Sequence, residues 1–199
     1  IMARTKGSDS KLTELRIRKV ALNLFSQYGY AAVSMRRIAS KVDLQVGTLY
    51  LYTPNKQALL FDLLKTHMDS VLKNWGLENV EIEPDKRLKA FTKFHIRFHI
   101  SRIEHVNISY NELKNLTGEN FDHVNSLRSE YEKSLEEILT FGRDQGYFDI
   151  QDVKLTALAI IAMLNGVLKW YRTDGRLSLD DVEEIYSEMA YKSVMIVDN

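Results

Sequence analysis

The sequence contains no cysteine and only two prolines and nine glycines among its 199 residues. The absence of cysteine excludes a disulfide-stabilised scaffold, a thiol nucleophile and a zinc site built from thiolates. An all-β protein needs turn residues about every 8–12 positions, and so few prolines and glycines do not supply them. The composition therefore predicts helices.

Long apolar runs are also missing from the sequence. No stretch reaches the about 18 consecutive apolar residues of a membrane span, and the N-terminal residues lack the apolar core of a secretion signal. We therefore expect a cytoplasmic protein with no membrane partner. Apolar residues nevertheless make up 45% of the chain, which is enough to bury a sizeable core.

The net charge is zero because 27 lysines and arginines balance 27 aspartates and glutamates. The two signs are unevenly distributed, since residues 1–60 hold ten basic and three acidic side chains and the rest of the chain carries the opposite excess. A basic head followed by an acidic body indicates that the head meets a polyanion. On charge alone, the alternative is a chance excess of cations on a solvated face.

Apolar residues recur at helical spacing along the chain, and segments with glycine, proline or capping residues separate the runs. The pattern predicts an all-α protein of about nine helices. The predicted helices are 11–28, 34–42, 46–52, 56–76, 85–104, 108–116, 119–145, 153–171 and 179–196. The acidic segment 77–84 separates the helices of the head from those of the body.

Residues 35–54 have the pattern of a DNA-binding helix-turn-helix. This motif needs a small residue inside its first helix and buried apolar residues at fixed offsets on both helices. Ala39 is the small residue, and the apolar positions are Ile38, Val42, Leu44, Leu49 and Tyr52. Because the motif lies inside the basic region, it predicts that the head binds DNA.

The head resembles the TetR family of bacterial transcription regulators. The family signature runs from a Thr or Ser cap through Ile-Ala, a turn, Gly-Thr-Leu-Tyr and Tyr-x-Pro-x-Lys. The matching residues are Ser34, Ile38-Ala39, Gly47-Thr48-Leu49-Tyr50 and Tyr52-Thr53-Pro54-Asn55-Lys56. Asp43 replaces the usual turn glycine, Gln45 a common capping serine and Thr53 a usual aromatic residue. The resemblance implies a helix-turn-helix DNA-binding domain over residues 1–55 and a helical ligand-binding and dimerisation domain over residues 56–199.

The resemblance also implies which residues meet DNA. They are Ser34, Arg36, Arg37, Gln45, Val46, Gly47, Thr48, Tyr50, Tyr52 and Lys56. Arg36 and Arg37 oppose the helix dipole unless a phosphate lies nearby, and Gln45 is a poor cap whose amide can pair with adenine. The alternative is that Tyr50 and Tyr52 are core aromatic residues and that Lys56 is solvated.

Residue types of a ligand site occur in the body. The predicted ligand-binding residues are Phe94, His95, Phe98, His99, Tyr110, Tyr131, Asn165, Trp170, Arg172 and Arg176. As alternatives, the aromatic residues fill the core and the arginines cap a helix C-terminus. His95 and His99 lie four residues apart, but a metal site needs further ligands, so we predict neither a metal nor a cofactor.

Residues 170–178 and 110–113 resemble the bodies of TetR-type regulators of lipid and acyl-CoA catabolism. Together with the head, this predicts a homodimeric repressor that leaves double-stranded operator DNA when a small molecule binds, with a CoA thioester as the candidate effector. The alternatives are a plain hydrophobic effector, or an all-helical interaction module whose head meets an acidic protein. No nucleophile elbow or phosphate-binding glycine loop indicates an enzyme.

Overall fold

The computed structural model describes residues 6–78 and 83–196, without the side chains of residues 6–9. Within these residues the chain forms nine α-helices, one 3-10 helix and an isolated bridge between Phe148 and Met195, which confirms the predicted all-α class. The helices are α1 Lys6–Tyr28, α2 Met35–Lys41, α3 Val46–Leu49, α4 Lys56–Glu78, α5 Pro84–Ile100, α6 Ile103–Asn111, the 3-10 helix Leu113–Asn115, α7 Gly118–Asp144, α8 Val153–Trp170 and α9 Leu179–Lys192.

The chain divides into two compact units that do not follow a single cut in the sequence. The head unit contains the chain up to Met68 together with Glu104–Asn125. The body unit contains Asp69–Ile103 together with the chain from Ser126 onward. The segment Glu104–Asn125 lies beyond the boundary predicted at residue 55, yet it packs with the head unit.

Polar and ring contacts attach this segment to α1 and α4 within the head unit. The amide Nδ2 of Asn23 donates a hydrogen bond of 3.0 Å to Oε1 of Glu104, and the side-chain amide of Gln57 donates to the carbonyl oxygen of Asn115. The imidazole rings of His67 and His105 stack with centroids 5.2 Å apart. Helix α6 and the 3-10 helix are therefore part of the scaffold that supports the helix-turn-helix.

In the body unit, α5 and α9 are joined by a ladder of ion pairs. The Nζ atoms of Lys89 and Lys93 each lie 2.5 Å from a carboxylate oxygen of α9, Oε1 of Glu188 and Oε2 of Glu184 respectively. Arg97 makes a bidentate pair with the buried carboxylate of Glu183, with N···O distances of 2.8 and 2.6 Å. Because the residue numbers of the partners decrease along α9 as those on α5 increase, the two helices run antiparallel.

Helix α8 is buried on one face and exposed on the other. Leu164 is fully buried, whereas Leu155 and Leu158 are 65% and 42% exposed. Leu164 therefore packs inside the body unit and offers no surface to a partner copy. The helix is also long and apolar enough to cross a membrane, a property that core and interface helices share.

Several other predicted positions differ from the structure. Helix α1 begins earlier, at Lys6, and α3 ends at Leu49 instead of Tyr52. The break after α5 falls at Ser101 and Arg102, where both side chains donate to the carbonyl oxygen of Phe98 and replace a glycine stop. In α9, Val182, Glu183 and Ala190 face the core, and Ile185 and Met189 are exposed although both are apolar.

Candidate DNA-binding and effector sites

The helix-turn-helix is held together by contacts between residues that are no more than about 20 positions apart in the sequence. The hydroxyl of Ser34 accepts a hydrogen bond of 3.2 Å from the backbone N–H of Arg37, which confirms Ser34 as the cap of α2. Asp43 adopts the left-handed conformation with φ of 58°, as expected for a residue in the place of a turn glycine. Ile38, Ala39 and Leu49 are buried, so α3 packs closely on α2.

The first turn of α3 leaves polar groups available to a partner. Gln45 occupies the N-cap position, but its side chain makes no capping hydrogen bond and is exposed. A Cβ atom added at Gly47 would meet nothing within 4 Å, and its φ lies outside the left-handed region. The fold therefore does not require glycine at position 47, and the close approach of DNA to its backbone stays a prediction.

The three predicted DNA-binding cations, Arg36, Arg37 and Lys56, have different environments. Arg36 is exposed, whereas the guanidinium of Arg37 lies 3.9 Å from the centroid of the Tyr28 ring. The ammonium of Lys56 donates hydrogen bonds of 2.8 and 2.9 Å to the carbonyl oxygens of Tyr30 and Val33. Lys56 is thus not merely solvated, because it ties the segment before α2 to the start of α4.

The two predicted DNA-binding aromatic residues differ in burial, and the exposure of a neighbouring leucine was not predicted. Tyr50 is exposed at the end of α3, and Tyr52 is half-buried. Leu51, between them, is 84% exposed although it is a large apolar residue. The periodic pattern did not single out Leu51, because Leu51 lies inside the predicted helix 46–52, whereas α3 ends before it at Leu49.

In the body unit, aromatic side chains pack ring against ring. Trp75 of α4 contacts two rings of α5, with centroids 5.1 Å from Phe91 and 5.4 Å from Phe94. Phe94 in turn lies 5.3 Å from Phe98, and Tyr131 of α7 stacks on Phe91 at 5.2 Å. All five side chains are buried. We call these five residues the aromatic cluster.

His95 connects three helices beside the aromatic cluster. Its Nδ1 lies 3.1 Å from the hydroxyl of Tyr131, and its Nε2 lies 3.2 Å from Oδ1 of Asn165. Because the amide oxygen of Asn165 only accepts, Nε2 carries the proton and Nδ1 accepts from Tyr131. Burial lowers the pKa of His95 to about 4, against the opposing effect of the hydrogen bond to Asn165, so the ring is neutral at pH 7.

The hydrogen bonds of His95 concern the question of whether His95 and His99 could bind a metal ion. Both ring nitrogens of His95 are engaged, and His99 lies beside it with ring centroids 4.5 Å apart. In the part of the chain that the structure describes, no group of three or more His, Cys, Asp or Glu side chains is arranged to hold a metal ion. The pair instead belongs to the hydrogen-bonded and stacked interior of the body unit.

The turn between α8 and α9 forms a cavity of about 300 Å³. Its lining consists of Trp170, Tyr171, Arg172, Gly175, Arg176 and Leu177. Trp170 is 47% exposed and stacks on Tyr186 with ring centroids 6.2 Å apart. One terminal nitrogen of Arg172 donates to the carbonyl oxygen of Tyr171 at 2.8 Å and to that of Lys169, in the last turn of α8, at 3.5 Å. Its other N–H groups and the exposed Arg176 leave the turn cationic.

Two family profiles match this chain. The profile described as bacterial regulatory proteins, tetR family, matches residues 17–63, which contain the helix-turn-helix. The profile described as tetracyclin repressor-like, C-terminal domain, matches residues 81–194, more than half of the chain. The chain belongs to the TetR family. This TetR-family protein is accordingly a DNA-binding transcriptional regulator.

Relatives and solved structures agree with this assignment over nearly the whole chain. The repressor KstR2 of Rhodococcus jostii is 26% identical over 187 residues, which cover 92% of this chain and 90% of that protein. A TetR-family regulatory protein from Rhodococcus RHA1 is 25% identical with a TM-score of 0.86, covering 94% and 98% of the two chains. AibR, solved in complex with isovaleryl coenzyme A and operator DNA, is 26% identical with a TM-score of 0.79, covering 89% and 97%.

The predicted ligand-binding residues of this TetR-family protein fall into three places. Phe94, His95, Phe98, His99, Tyr131 and Asn165 lie in or beside the aromatic cluster. Trp170, Arg172 and Arg176 line the cavity at the α8–α9 turn. Tyr110 belongs to the head unit, where its side chain is exposed. Trp75 was missed, because its position in a long apolar helix gave no sign of its ring contacts with α5.

Proposed function

We propose that this regulator is a cytoplasmic repressor that leaves its operator when an acyl-CoA thioester binds to the body unit. The observation that carries the proposal is the cationic cavity at the α8–α9 turn, in which Trp170 offers a ring and Arg172 and Arg176 offer charge. A planar ring beside two guanidinium groups suits a nucleotide with phosphates. Support also comes from AibR, which was solved with isovaleryl coenzyme A and operator DNA.

The operator contacts are proposed to come from α2 and α3. Arg36 and the hydroxyl of Ser34 lie at the start of α2, where the backbone N–H groups favour a phosphate. Gln45 has a free side-chain amide for a base edge, and Gly47 allows the backbone of α3 to approach the groove. The remaining predicted DNA contacts lie close in sequence to these residues. They are Arg37, Val46, Thr48, Tyr50, Tyr52 and Lys56. Lys56 keeps one N–H for a phosphate after its two bonds to carbonyl oxygens.

Dimerisation is proposed to use the outward faces of α8 and α9. Leu155 and Leu158 on α8, and Ile185 and Met189 on α9, are exposed apolar side chains. Two copies of this face form a four-helix interface, which buries the apolar excess of α8 without any membrane. The two helix-turn-helix motifs then need a separation of about 34 Å to enter successive major grooves.

The acyl chain is proposed to lie near Phe94 and Phe98, within reach of the cationic turn. Asn165 of α8 contacts His95 of α5, and Trp170 follows Asn165 by five residues, or about 7.5 Å along the helix. The pantetheine arm of a CoA thioester is long enough to span such a distance. One molecule therefore joins the apolar and the cationic parts of the body unit.

Release requires that the effector bind the DNA-incompetent state more tightly than the DNA-competent one. A change from a mostly bound to a mostly released population needs a preference of about 5 kcal/mol. Helix α4 belongs to both units, since Lys56 lies in the head unit and Trp75 in the body unit. We propose that a shift of α4 carries the effect of the ligand to the helix-turn-helix.

A DNA-release titration tests the effector class. Octanoyl-CoA, free octanoate and free CoA are added to the wild-type complex with an operator fragment selected from random duplex DNA. We expect octanoyl-CoA to release DNA at much lower concentration than the other two. The double variant Arg172→Ala with Arg176→Ala should need about tenfold or more octanoyl-CoA, because charge-assisted hydrogen bonds to phosphate are lost.

Arg143→Ala is the matched control, since it removes an arginine of α7 that pairs with the adjacent Asp144. It should respond as the wild type does. Two outcomes would contradict the proposal that the effector is a CoA thioester: release of DNA by octanoate as effective as by octanoyl-CoA, or a wild-type response of the double variant. Either outcome would favour a plain hydrophobic effector.

A further inference from the structure

The indole N–H of Trp75 is a buried donor with no hydrogen-bond acceptor among the described residues. Its side chain is 3% exposed, and Nε1 itself is out of contact with solvent. A buried donor without an acceptor has lost its hydrogen bonds to water and gained none in return, so native proteins satisfy nearly all such groups. An acceptor from outside the chain would satisfy this N–H group.

The surroundings of Trp75 indicate the chemistry of that acceptor. The neighbouring rings of Phe91 and Phe94 offer only π faces, which are weak acceptors. His95, which lies on α5 with these two phenylalanines, already engages both ring nitrogens in hydrogen bonds. Apolar rings around a buried donor that lacks an acceptor suit an apolar molecule that carries an acceptor oxygen.

We propose that the Nε1–H group of Trp75 donates a hydrogen bond to the carbonyl oxygen of the effector's acyl group. This inference rests on the acyl-CoA effector proposed above and adds that the thioester carbonyl is itself recognised. An effector with the same chain but without an acceptor oxygen binds less tightly. Trp75 also lies on α4, the helix whose Lys56 holds the carbonyl oxygens of Tyr30 and Val33. The hydrogen bond therefore acts on the helix that connects the two units.

Two probes that differ only at the carbonyl test this inference. Octanoyl-CoA has the acceptor oxygen, and S-octyl-CoA, a thioether, has a methylene group in its place. For Trp75→Phe, which keeps an aromatic ring but removes the donor, we expect about tenfold more octanoyl-CoA at half-maximal operator release. The concentration of S-octyl-CoA at half-maximal release should stay within twofold of the wild-type value.

A measurement on the wild-type protein avoids any effect of the substitution on folding. The chain has two tryptophans, Trp75 and Trp170, so ¹⁵N-labelled indole groups give two signals, which the spectrum of ligand-free Trp170→Phe assigns. Octanoyl-CoA should move the Trp75 N–H proton signal downfield, as a new hydrogen bond does, and S-octyl-CoA should not. Equal shifts with both probes would overturn the inference.

The remaining outcomes separate this inference from the proposed function. Trp170→Phe should weaken the response to both CoA probes alike, because Trp170 is proposed to meet the nucleotide end that they share. If Trp75→Phe also weakens both alike, or weakens neither, the carbonyl contact is wrong while the effector class stands. If neither octanoyl-CoA nor octanoate releases DNA from the wild type, the acyl effector and this inference both fall.

Discussion

Substitution of Gly47 by alanine separates the demands of folding from those of DNA binding. Gly47 lies in the first turn of α3, its φ is not left-handed, and an added Cβ would meet no atom within 4 Å. Alanine in such a position restricts the unfolded chain and stabilises the folded one by about 0.4–1 kcal/mol. For a chain of this length, that gain raises the melting temperature by about 1–4 °C.

The same methyl group should weaken operator binding. If α3 enters the major groove with the backbone of Gly47 close to DNA, the methyl group forces α3 outward and lengthens the contacts of its neighbours. Loss of one well-formed base contact costs about 1–3 kcal/mol, which is about 5- to 150-fold in affinity. Gly47→Ala is therefore expected to be more stable than the wild type and a poorer DNA binder.

Thermal unfolding and fluorescence anisotropy with a labelled operator fragment measure the two effects. Gly76→Ala is the matched control, because Gly76 is also a helical glycine whose added Cβ would meet nothing within 4 Å, and it lies in the body unit. The control should gain stability and keep its operator affinity. Wild-type affinity in Gly47→Ala would refute the close approach of α3 to DNA, and a lowered melting temperature would refute the argument from open space.

Three further predictions concern single side chains. The pKa of His95 is about 4 in the folded chain and about 6.5 in the unfolded chain. Because the unfolded chain binds the proton more readily, protonation below pH 6.5 favours unfolding. The free energy of unfolding should therefore fall by about 2 kcal/mol between pH 7.5 and pH 5. His95→Gln should lose about 2 kcal/mol less over that interval in urea unfolding, and an equal loss would contradict a neutral buried ring. Gln45→Ala should relax base preference at one position of each half-site in a competition assay with variant operators, whereas equal loss on specific and random DNA would exclude base contact. Leu158→Glu should yield monomers in analytical ultracentrifugation, and retained dimers would place the interface on another surface.

The helix-turn-helix was predictable from the sequence because its determinants are local. The cap at Ser34, the turn at Asp43 and the close packing at Ala39 all depend on residues within about 20 positions of one another. Spacing and side-chain type therefore sufficed to place both helices, and only the end of α3 was misjudged. The same holds for the all-α class, which follows from periodicity and from the scarcity of glycine and proline.

Contacts between distant residues decided what the sequence left open. His95 is neutral because it is buried. Its hydrogen-bond partners, Tyr131 and Asn165, lie 36 and 70 residues away, and no local pattern brings them together. Lys56 was predicted to contact DNA, with a solvated cation as the alternative, and nothing in the sequence indicated the two carbonyl oxygens that the fold places beside its ammonium group.

Helix α8 shows the same limit for apolar residues. Leu158 and Leu164 lie about 120° apart around α8, a helix whose apolar residues extend around most of its circumference. Packing against α5 decides that Leu164 is buried and Leu158 exposed. The sequence by itself determined the helices and the DNA-binding motif, since hydrogen bonding and capping act over a few residues. Which face of each helix is buried was decided by the tertiary structure, because burial depends on neighbours that are remote in the chain.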